Sequence, residues 1–396
     1  MSSFASIPLG YCVSEVRRKN LGGREQNLLS LSYGRIVRKD IDSVEGLLPE
    51  SFDTYNVVEQ GDTVLRLTDL QNDQRSLRVG FVEERGIITS AYVTVRPSTR
   101  VNERFLNYFL KMMDFRKDFY ALGAGVRQSL KFEELRRVQV AVPDLAVQRA
   151  IADHLDTETA RIDALIAKKQ RMIGILREQF ASAVEQAAPH GRYRDARLRW
   201  CTRRIADGTH GTYQRQTSGY PLLSAKNLRD GRVVVGDDES YVSESDYHEV
   251  SGTCGFQPGD VLFGVIGGSI GNVARLTADD TTAFQRSVAA VSPSELLHAD
   301  FLYLISMGRS FQDKLKLAAN SSAQSGVYLG ALGDISIPLP SIADQALIVA
   351  RLNRLLRWQD SLKASLSRQI ELLLERRQAL ITAAVTGELE VPGVAA

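Results

Sequence analysis

Clusters of arginine, amide and hydroxyl side chains in short turns are the residues of this chain best suited to chemistry. Arginine can bond guanine through two hydrogen bonds, asparagine and glutamine suit adenine, and arginine and lysine bind phosphate groups. The sequence therefore predicts contacts with double-stranded DNA. In the first half of the chain the candidates are Ser32, Tyr33, Arg35, Arg66, Thr68, Gln71, Asn72, Arg75, Arg127, Gln128 and Ser129. In the second half they are Thr209, His210, Tyr213, Arg215, Lys226, Asn227, Gln285, Arg286, Ser287, Ser322, Gln324 and Tyr328.

The same residue types also occur on ordinary solvated loops, so polarity alone does not distinguish a DNA contact from a surface residue. His210 fits both interpretations, because it stands in a polar turn rich in glycine and threonine. The clusters gain weight because they recur in both halves of the chain.

Motifs for catalysis and for metal binding are missing from the sequence. There is no Gly-x-x-x-x-Gly-Lys loop for ATP, no His-Glu-x-x-His motif for zinc, and no Asn/Asp-Pro-Pro-aromatic loop for adenine methylation. The five histidines and three cysteines lack ligand spacing, so no metal site is predicted. We therefore expect a protein that is not an enzyme and has no cofactor of its own.

The composition is typical of a soluble protein with more than one domain. Of the 396 residues, 44% are hydrophobic and 24% are charged, which is unlike a disordered chain or a membrane protein. The scattered cysteines indicate no disulfide framework, so a reducing, cytoplasmic location and no membrane partner are expected. The net charge of +2 leaves the partner open, because a near-neutral total can hide a basic face.

An internal repeat reveals the elements that must position the polar clusters. Aligning Gln148 with Gln345 sets an offset of 197 residues, and in this register Pro143 meets Pro340 and several leucines and isoleucines also match. Such a series in one register is the signature of a duplication. The chain is therefore predicted to contain, twice over, a globular domain followed by a helix.

Each repeat is predicted to end in a long helix, at 144–188 and 341–388. Apolar residues recur there at alternating spacings of three and four, the pattern of a coiled-coil seam. At 1.5 Å per residue each helix would span roughly 60 Å. Neither helix can bury its stripe alone, so the two are predicted to pack on each other. The predicted helix-pair interface comprises Leu155, Ile162, Ile166, Ile173, Leu176, Phe180, Leu352, Leu356, Leu366, Ile370, Leu373 and Leu380.

The predicted fold class is α+β, with globular domains at 1–143 and 189–340 separated by the two long helices. If these helices pack as an antiparallel coiled coil, the duplicated domains are related by a pseudo-two-fold axis, which suits a split DNA site. Within the domains, alternating apolar residues and turn signals predict strands at 62–67, 86–95 and 231–235, and shorter helices at 103–119 and 298–317.

Two stretches resemble conserved regions of the specificity subunits of type I restriction-modification enzymes. They are QRAIADHLDTETARIDALIAK at 148–168 and LERRQALITAAVTG at 374–387. The chain departs from the family where Val147 and Asp344 replace a common glutamate before each glutamine. Segments that look like two types of target-recognition domain lie at 29–35, 65–70 and 125–129, and at 207–210, 223–227 and 284–287.

The resemblance implies a DNA-recognition subunit without catalysis of its own. Each globular domain would be a target-recognition domain for one half of a bipartite site, and the helices would set the spacer and dock two methyltransferase subunits. Restriction and translocase subunits would join them. S-adenosylmethionine, ATP and Mg²⁺ would belong to those partner subunits. The alternative is a coiled-coil scaffold for other proteins that does not read bases.

Overall fold

The computed structural model describes residues 6–41, 51–70, 77–122, 129–320 and 326–392. Its contacts divide the chain into two compact units. Unit 1 comprises Met1–Lys169 and Ser367–Ala396, and unit 2 comprises Gln170–Leu366. Each unit therefore contains one globular part and a portion of both long helices, whereas the predicted domain boundaries follow the ends of these helices.

In the ranges that the structure describes, the globular part of unit 1 combines short strands with three helices. They are β1 (Ser6–Pro8), β2 (Val13–Glu15), β3 (Leu29–Ser32), β4 (Arg35–Arg38), β5 (Asn56–Val58), β6 (Thr63–Leu65), β7 (Val79–Phe81), β8 (Gly86–Ile88), β9 (Val93–Pro97), α1 (Glu103–Phe115), α2 (Asp118–Leu122), α3 (Phe132–Leu135) and β10 (Gln139–Ala141). The long helix α4 (Leu145–Ala187) follows.

The globular part of unit 2 is built in a similar way. It contains β11 (Asp195–Arg197), β12 (Thr202–Asp207), β13 (Tyr220–Leu223), β14 (Leu228–Arg229), β15 (Arg232–Val233), β16 (Tyr241–Val242), α5 (Glu244–Cys254), β17 (Val261–Gly264), β18 (Val273–Arg275), β19 (Ala283–Phe284), β20 (Val288–Pro293), α6 (Ala299–Ser306), α7 (Arg309–Asn320), α8 (Leu329–Asp334) and β21 (Ser336–Pro338). The second long helix, α9 (Ile342–Thr386), comes next.

The sheets of the two units have matching topology, as the repeat requires. The four-stranded sheet of unit 1 has the order β2-β9-β6-β7, and that of unit 2 has the order β12-β20-β17-β18. A two-stranded antiparallel pair joins the start of each domain to the strand before its long helix, β1 with β10 and β11 with β21. The α+β class and the duplication are confirmed.

The core of unit 1 is completed by both long helices. Phe105 and Leu106 of α1 share one apolar cluster with Leu155 of α4 and with Ile381 and Val385 of α9. All five side chains are fully buried. Removing this much apolar surface from water contributes about 1.5–3 kcal/mol for each large side chain. The last turns of α9 therefore belong to the first globular domain.

The core of unit 2 is also completed by both long helices, but here by the end of α4 and the start of α9. Phe263 of β17 and Phe301 of α6 pack in one cluster with Phe180 and Val184 near the end of α4 and with Leu352 near the start of α9. The apolar stripes of the long helices thus bury partly against the globular domains and not only against each other.

The long helices run antiparallel within unit 1. Asp163 of α4 forms an ion pair with Arg377 of α9 at 3.3 Å. Six residues further along α4, Lys169 donates a hydrogen bond to Gln369 of α9. Numbers rise along one helix while they fall along the other, as predicted. Lys169 interrupts the apolar stripe, and this hydrogen bond accounts for the interruption.

Five predicted elements are shorter or more broken than expected, and one of them is the strand predicted at 62–67, of which only β6 (Thr63–Leu65) forms. The helix predicted at 103–119 ends at Phe115, because Lys117 adopts a left-handed φ of 63° before α2 begins. The helix predicted at 298–317 is interrupted at Gly308, where a Cβ would lie 2.8 Å from a side-chain methyl of Val184. The predicted strands also contract: 86–95 contains β8 and β9 with a turn between them, and 231–235 retains only β15.

Candidate nucleic-acid interface

The same backbone junction occurs in both units, next to the predicted DNA contacts. In unit 1 the N–H of Leu130 donates to the carbonyl of Leu67 at 2.9 Å. In unit 2 the N–H of Val327 donates to the carbonyl of Val265 at 2.8 Å. The two pairs are equivalent in the repeat, with Val327 197 residues after Leu130 and Val265 198 residues after Leu67. Each junction joins the segment after β6 or β17 to the segment that precedes the strand before the long helix.

The unit 1 junction brings three predicted residues together. Arg66 and Thr68 flank Leu67, and the exposed Ser129 precedes Leu130. The predicted residues Gln71, Asn72, Arg75, Arg127 and Gln128 lie outside the described residues, as do Ser322 and Gln324 in unit 2.

A buried arginine that sequence reasoning missed holds the unit 1 turn. Arg78 is fully buried, and its guanidinium donates to the carbonyls of Arg66, Thr68 and Asp69 at 3.0, 2.9 and 3.2 Å. It also donates to the Tyr120 hydroxyl at 3.1 Å. These bonds fix the backbone that carries Arg66 and Thr68.

The β3–β4 hairpin presents the next predicted cluster of unit 1. Its turn places Tyr33 at a left-handed φ of 47° and leaves this side chain 84% exposed. Ser32 pairs with Arg35 across the hairpin. Arg35 reaches Asp163 of α4 at 3.6 Å, while its side chain stays 74% exposed. The hairpin therefore rests on the long helix and still offers Tyr33 and Arg35 to solvent.

A basic group lies beside this hairpin. The pKa of Lys111 on α1 is lowered to about 8, mainly by burial and then by the positive charge of Arg377. Asp163 and Asp156 act in the opposite direction, and Arg35 adds to the lowering. Three cations thus face two carboxylates, so this part of unit 1 carries an excess of positive charge.

Backbone hydrogen bonds gather four predicted residues in unit 2. The N–H of Thr209 donates to the Phe284 carbonyl at 2.8 Å, and the N–H of Arg286 donates to the Thr209 carbonyl at 2.9 Å. Ser287 accepts a hydrogen bond from the N–H of Ala225 at 3.1 Å. Gln285, which precedes Arg286, donates its own N–H to the Leu223 carbonyl at the end of β13 at 2.8 Å.

Three predicted residues of unit 2 line one groove. The groove, of about 430 Å³, has His210, Arg286 and Tyr328 on its polar side and Val265, Ile266 and Val327 among its apolar walls. We call it the unit 2 groove. Tyr328 is 68% exposed and Ile266 is 40% exposed. The His210 side chain contacts Asp207 at 2.7 Å.

The remaining predicted residues of unit 2 have partners of their own. Lys226 pairs with Glu239 at 3.0 Å. The Tyr213 hydroxyl lies 3.2 Å from the Thr209 hydroxyl. Arg215 donates to the Leu222 carbonyl at 3.3 Å. These side chains remain partly or largely exposed at the surface.

Asn227 differs from its neighbours because it is only 1% exposed. Its amide nitrogen donates to the Val234 carbonyl at 2.9 Å and to Glu239 at 2.7 Å, and its amide oxygen accepts from the N–H of Ser224 at 3.0 Å. A buried amide whose nitrogen and oxygen are both hydrogen-bonded within the protein cannot reach a base edge. The prediction of a DNA contact at Asn227 is corrected to a structural role in the loop that carries Lys226.

The predicted helix-pair residues are all at least partly buried. Leu155, Ile162, Ile166, Leu176, Phe180, Leu352 and Leu366 are buried, and Ile173, Leu356, Ile370, Leu373 and Leu380 are half-buried. None of the twelve is exposed, as expected for a stripe that packs against other elements.

Two glutamines that served only to align the repeat prove to be structural clamps. Gln148 accepts a hydrogen bond from the N–H of Asn102 at 2.7 Å and donates to the Pro143 carbonyl at 2.7 Å. Gln345 accepts from the N–H of His298 at 2.8 Å and donates to the Pro340 carbonyl at 2.9 Å. Each clamp ties the start of a long helix to the N-cap residue of α1 or α6.

The described part of the chain contains no group of three or more potential ligands that could hold a metal ion. The three cysteines are buried and free. In the ranges that the structure covers, no helix is both long enough and apolar enough to cross a membrane.

Comparisons with known proteins agree with this geometry. Residues 214–372 match the family model of the type I restriction modification DNA specificity domain. The chain is 22% identical over 319 residues to the type I restriction enzyme EcoKI specificity subunit of Escherichia coli K12, covering 74% of this chain and 67% of the relative. The StySPI specificity subunit of Salmonella potsdam is 22% identical over 315 residues, with the same two coverages.

One solved structure shares the fold. It is a chain from a study of the complex assembly and conformational transition of the type I R-M system. It matches with a TM-score of 0.63 at 17% identity, covering 98% of this chain and 99% of that chain.

Proposed function

We propose that this chain, a member of the specificity-subunit family of type I restriction-modification enzymes, recognises the DNA sequence for such an enzyme, with each unit reading one half of a bipartite site. The observation that carries this proposal is the duplicated junction. Thr68 and Ser129 flank the junction in unit 1, and Ile266 and Gly326 occupy the equivalent positions in unit 2. One backbone arrangement with two sets of side chains suits two different half-sites.

The long helices offer surfaces for partner subunits. Leu165 and Ile175 of α4 are 49% and 51% exposed, and Leu347 and Trp358 of α9 are 70% and 57% exposed. Large apolar side chains at the surface of a helix suit a protein partner. We assign these faces to two methyltransferase subunits, and restriction subunits would join the assembly.

The chemistry would belong to the partners. Methylation would use S-adenosylmethionine, and cleavage with translocation would use ATP and Mg²⁺, all bound outside this chain. This chain would contribute no catalytic group. It would act in the cytoplasm, where the DNA lies.

The experiment that tests the proposal is a map of adenine methylation. Cells would express the cognate methyltransferase subunit with and without this chain, and long-read sequencing would locate modified adenines. We expect a two-part motif with a fixed spacer that appears only when this chain is present. If the subunits co-purify and no motif appears, the polar clusters do not read bases, and the scaffold function replaces this proposal.

Exchange of one domain tests the division of labour. Replacing residues 1–143 with the same region of a relative should change one half of the motif and leave the other half and the spacer intact. A change in both halves would contradict the assignment of one half-site to each unit.

A further inference from the structure

The unit 2 groove has the composition of a base-reading site and not of a phosphate site. Val265, Ile266 and Val327 supply apolar walls, and Arg286 and Asp207 supply one positive and one negative group. Phosphate oxygens gain nothing from apolar walls, whereas the methyl group of thymine is read by apolar contact in the major groove. The groove therefore suits the edges of bases.

The guanidinium of Arg286 is available to donate hydrogen bonds to a ligand. Its side chain is exposed, and its guanidinium makes no hydrogen bond or ion pair with any part of the chain that the structure describes. Several other arginines of unit 2 are paired, since Arg275 pairs with Asp300, and both Arg197 and Arg199 pair with Asp334. A free guanidinium can donate two hydrogen bonds to O6 and N7 of guanine.

The backbone around Arg286 is fixed before any ligand binds. Its N–H is bonded to Thr209, and a Cβ at Gly208 would come within 2.3–2.6 Å of backbone atoms of Phe284 and Gln285. Only glycine allows the two segments to approach this closely. This fixed backbone holds Arg286 and the apolar wall at constant positions relative to each other, which specific recognition requires.

We infer that the unit 2 groove reads a G·C pair through Arg286 next to an A·T pair whose thymine methyl packs on Ile266. The inference rests on the proposed function and names the bases that one half-site must contain. Unit 1 has Thr68 where unit 2 has Ile266, so its junction lacks this apolar wall and serves a different half-site.

The test uses the full chain co-expressed with its methyltransferase subunit, first in the methylation map and then in competition binding by the purified complex. The unit 2 half-site should contain guanine next to thymine. Arg286→Gln should reduce discrimination between G·C and A·T at that guanine by roughly 5- to 150-fold. Ile266→Ala should weaken only the preference for the adjacent thymine. Arg309→Gln, at an exposed arginine of unit 2 outside the groove, should change neither preference.

Three outcomes would overturn the inference while leaving the proposed function in place. They are a bipartite motif whose unit 2 half-site lacks guanine, an Arg286→Gln variant with unchanged base preference, and a variant that weakens binding to all DNA sequences equally. The last result would make Arg286 a phosphate contact. Co-purification of each variant with the methyltransferase subunit shows that the complex is intact. Arg286→Lys is included as the variant that keeps the charge. A missing motif in the wild type would instead refute the proposed function itself.

Discussion

Buried polar side chains with several backbone partners hold the segments that flank the candidate interface. Gln148 is 1% exposed and Gln345 is fully buried. Each bonds one N–H and one carbonyl of a loop that is distant in sequence, and a second carbonyl, that of the proline five residues before it. A buried backbone group that loses its partner costs about 1–3 kcal/mol. Each glutamine therefore stabilises the entry to a long helix far more than an exposed glutamine could.

Replacing Gln148 with alanine should loosen this entry. The N–H of Asn102 and the Pro143 carbonyl would lose their partner, so local opening should become easier by about 2 kcal/mol. We expect hydrogen exchange at the first amides of α1 to accelerate roughly 30-fold.

The matched control is Gln179→Ala, an exposed glutamine of the same helix α4. It should leave exchange in α1 unchanged. Equal effects of the two substitutions would mean that Gln148 acts through helix propensity and not through its hydrogen bonds.

At the scale of single residues, the sequence shows what a side chain could bind. It shows less well what that side chain does in the folded protein. The repeat identified Gln148 and Gln345 as equivalent, but their partners are backbone atoms of remote loops, which a sequence does not reveal. Arg78 resembles a solvated strand residue and is instead the fully buried tether of a turn. Asn227 has the right chemistry for adenine, yet its amide is committed to its own loop.

At the scale of elements, charged side chains of α1, the β3–β4 hairpin and the two long helices interact around Lys111. Lys111 of α1 faces Arg377 and Arg35 as well as Asp163 and Asp156. Its folded-state pKa is about 8, below the ordinary value of 10.5. The protonated lysine therefore opposes folding at neutral pH.

This shift predicts a pH dependence of stability. Below pH 8 Lys111 is protonated in both states and its cost is constant. Between pH 8 and 10.5 the unfolded state binds more protons than the folded state, so the contribution of Lys111 to stability rises with pH. Lys111→Met should remove this rise, worth about 1–3 kcal/mol, in chemical unfolding measured across the range.

Lys168→Met, at an exposed lysine of α4, is the control and should keep the wild-type slope. Identical slopes for wild type and Lys111→Met would show that another group causes the rise.

Long elements were predictable because their pattern is repeated many times, whereas short ones depend on single contacts. The alternating apolar spacings predicted both long helices to within two residues at each end. The break after α1 has no such signal, since Lys117 is an ordinary helix-forming residue that turns left-handed here. The break before α7 depends on the close approach of Gly308 to Val184, which only the folded chain reveals.

At the scale of the whole molecule, the first globular domain is finished by the last segment of the described chain. Ile381, Ala384 and Val385 are fully buried in the core of unit 1, together with side chains from α1 and α4. Val391, beyond the helix, is also buried in this cluster.

Val385→Asp should therefore damage the domain at the other end of the sequence. A carboxylate in this apolar core should cost about 4 kcal/mol or more. We expect hydrogen-exchange protection to fall in β6 and β9 of unit 1, while β17 and β20 of unit 2 keep theirs.

Leu374→Asp supplies the comparison, because Leu374 lies on the same helix and is 44% exposed. It should leave both sheets protected. Equal loss of protection in the two units after Val385→Asp would mean that they unfold as one body.

The position of Val385 and its neighbours also matters while the protein is being made. A ribosome releases the first globular domain long before it synthesises the helix end that fills its core. Unit 2 contains its own stretch of both long helices, within Gln170–Leu366. Unit 1 is thus completed only after unit 2 has been translated, and a chain cut short before Ile381 would carry its defect in the globular domain that precedes unit 2.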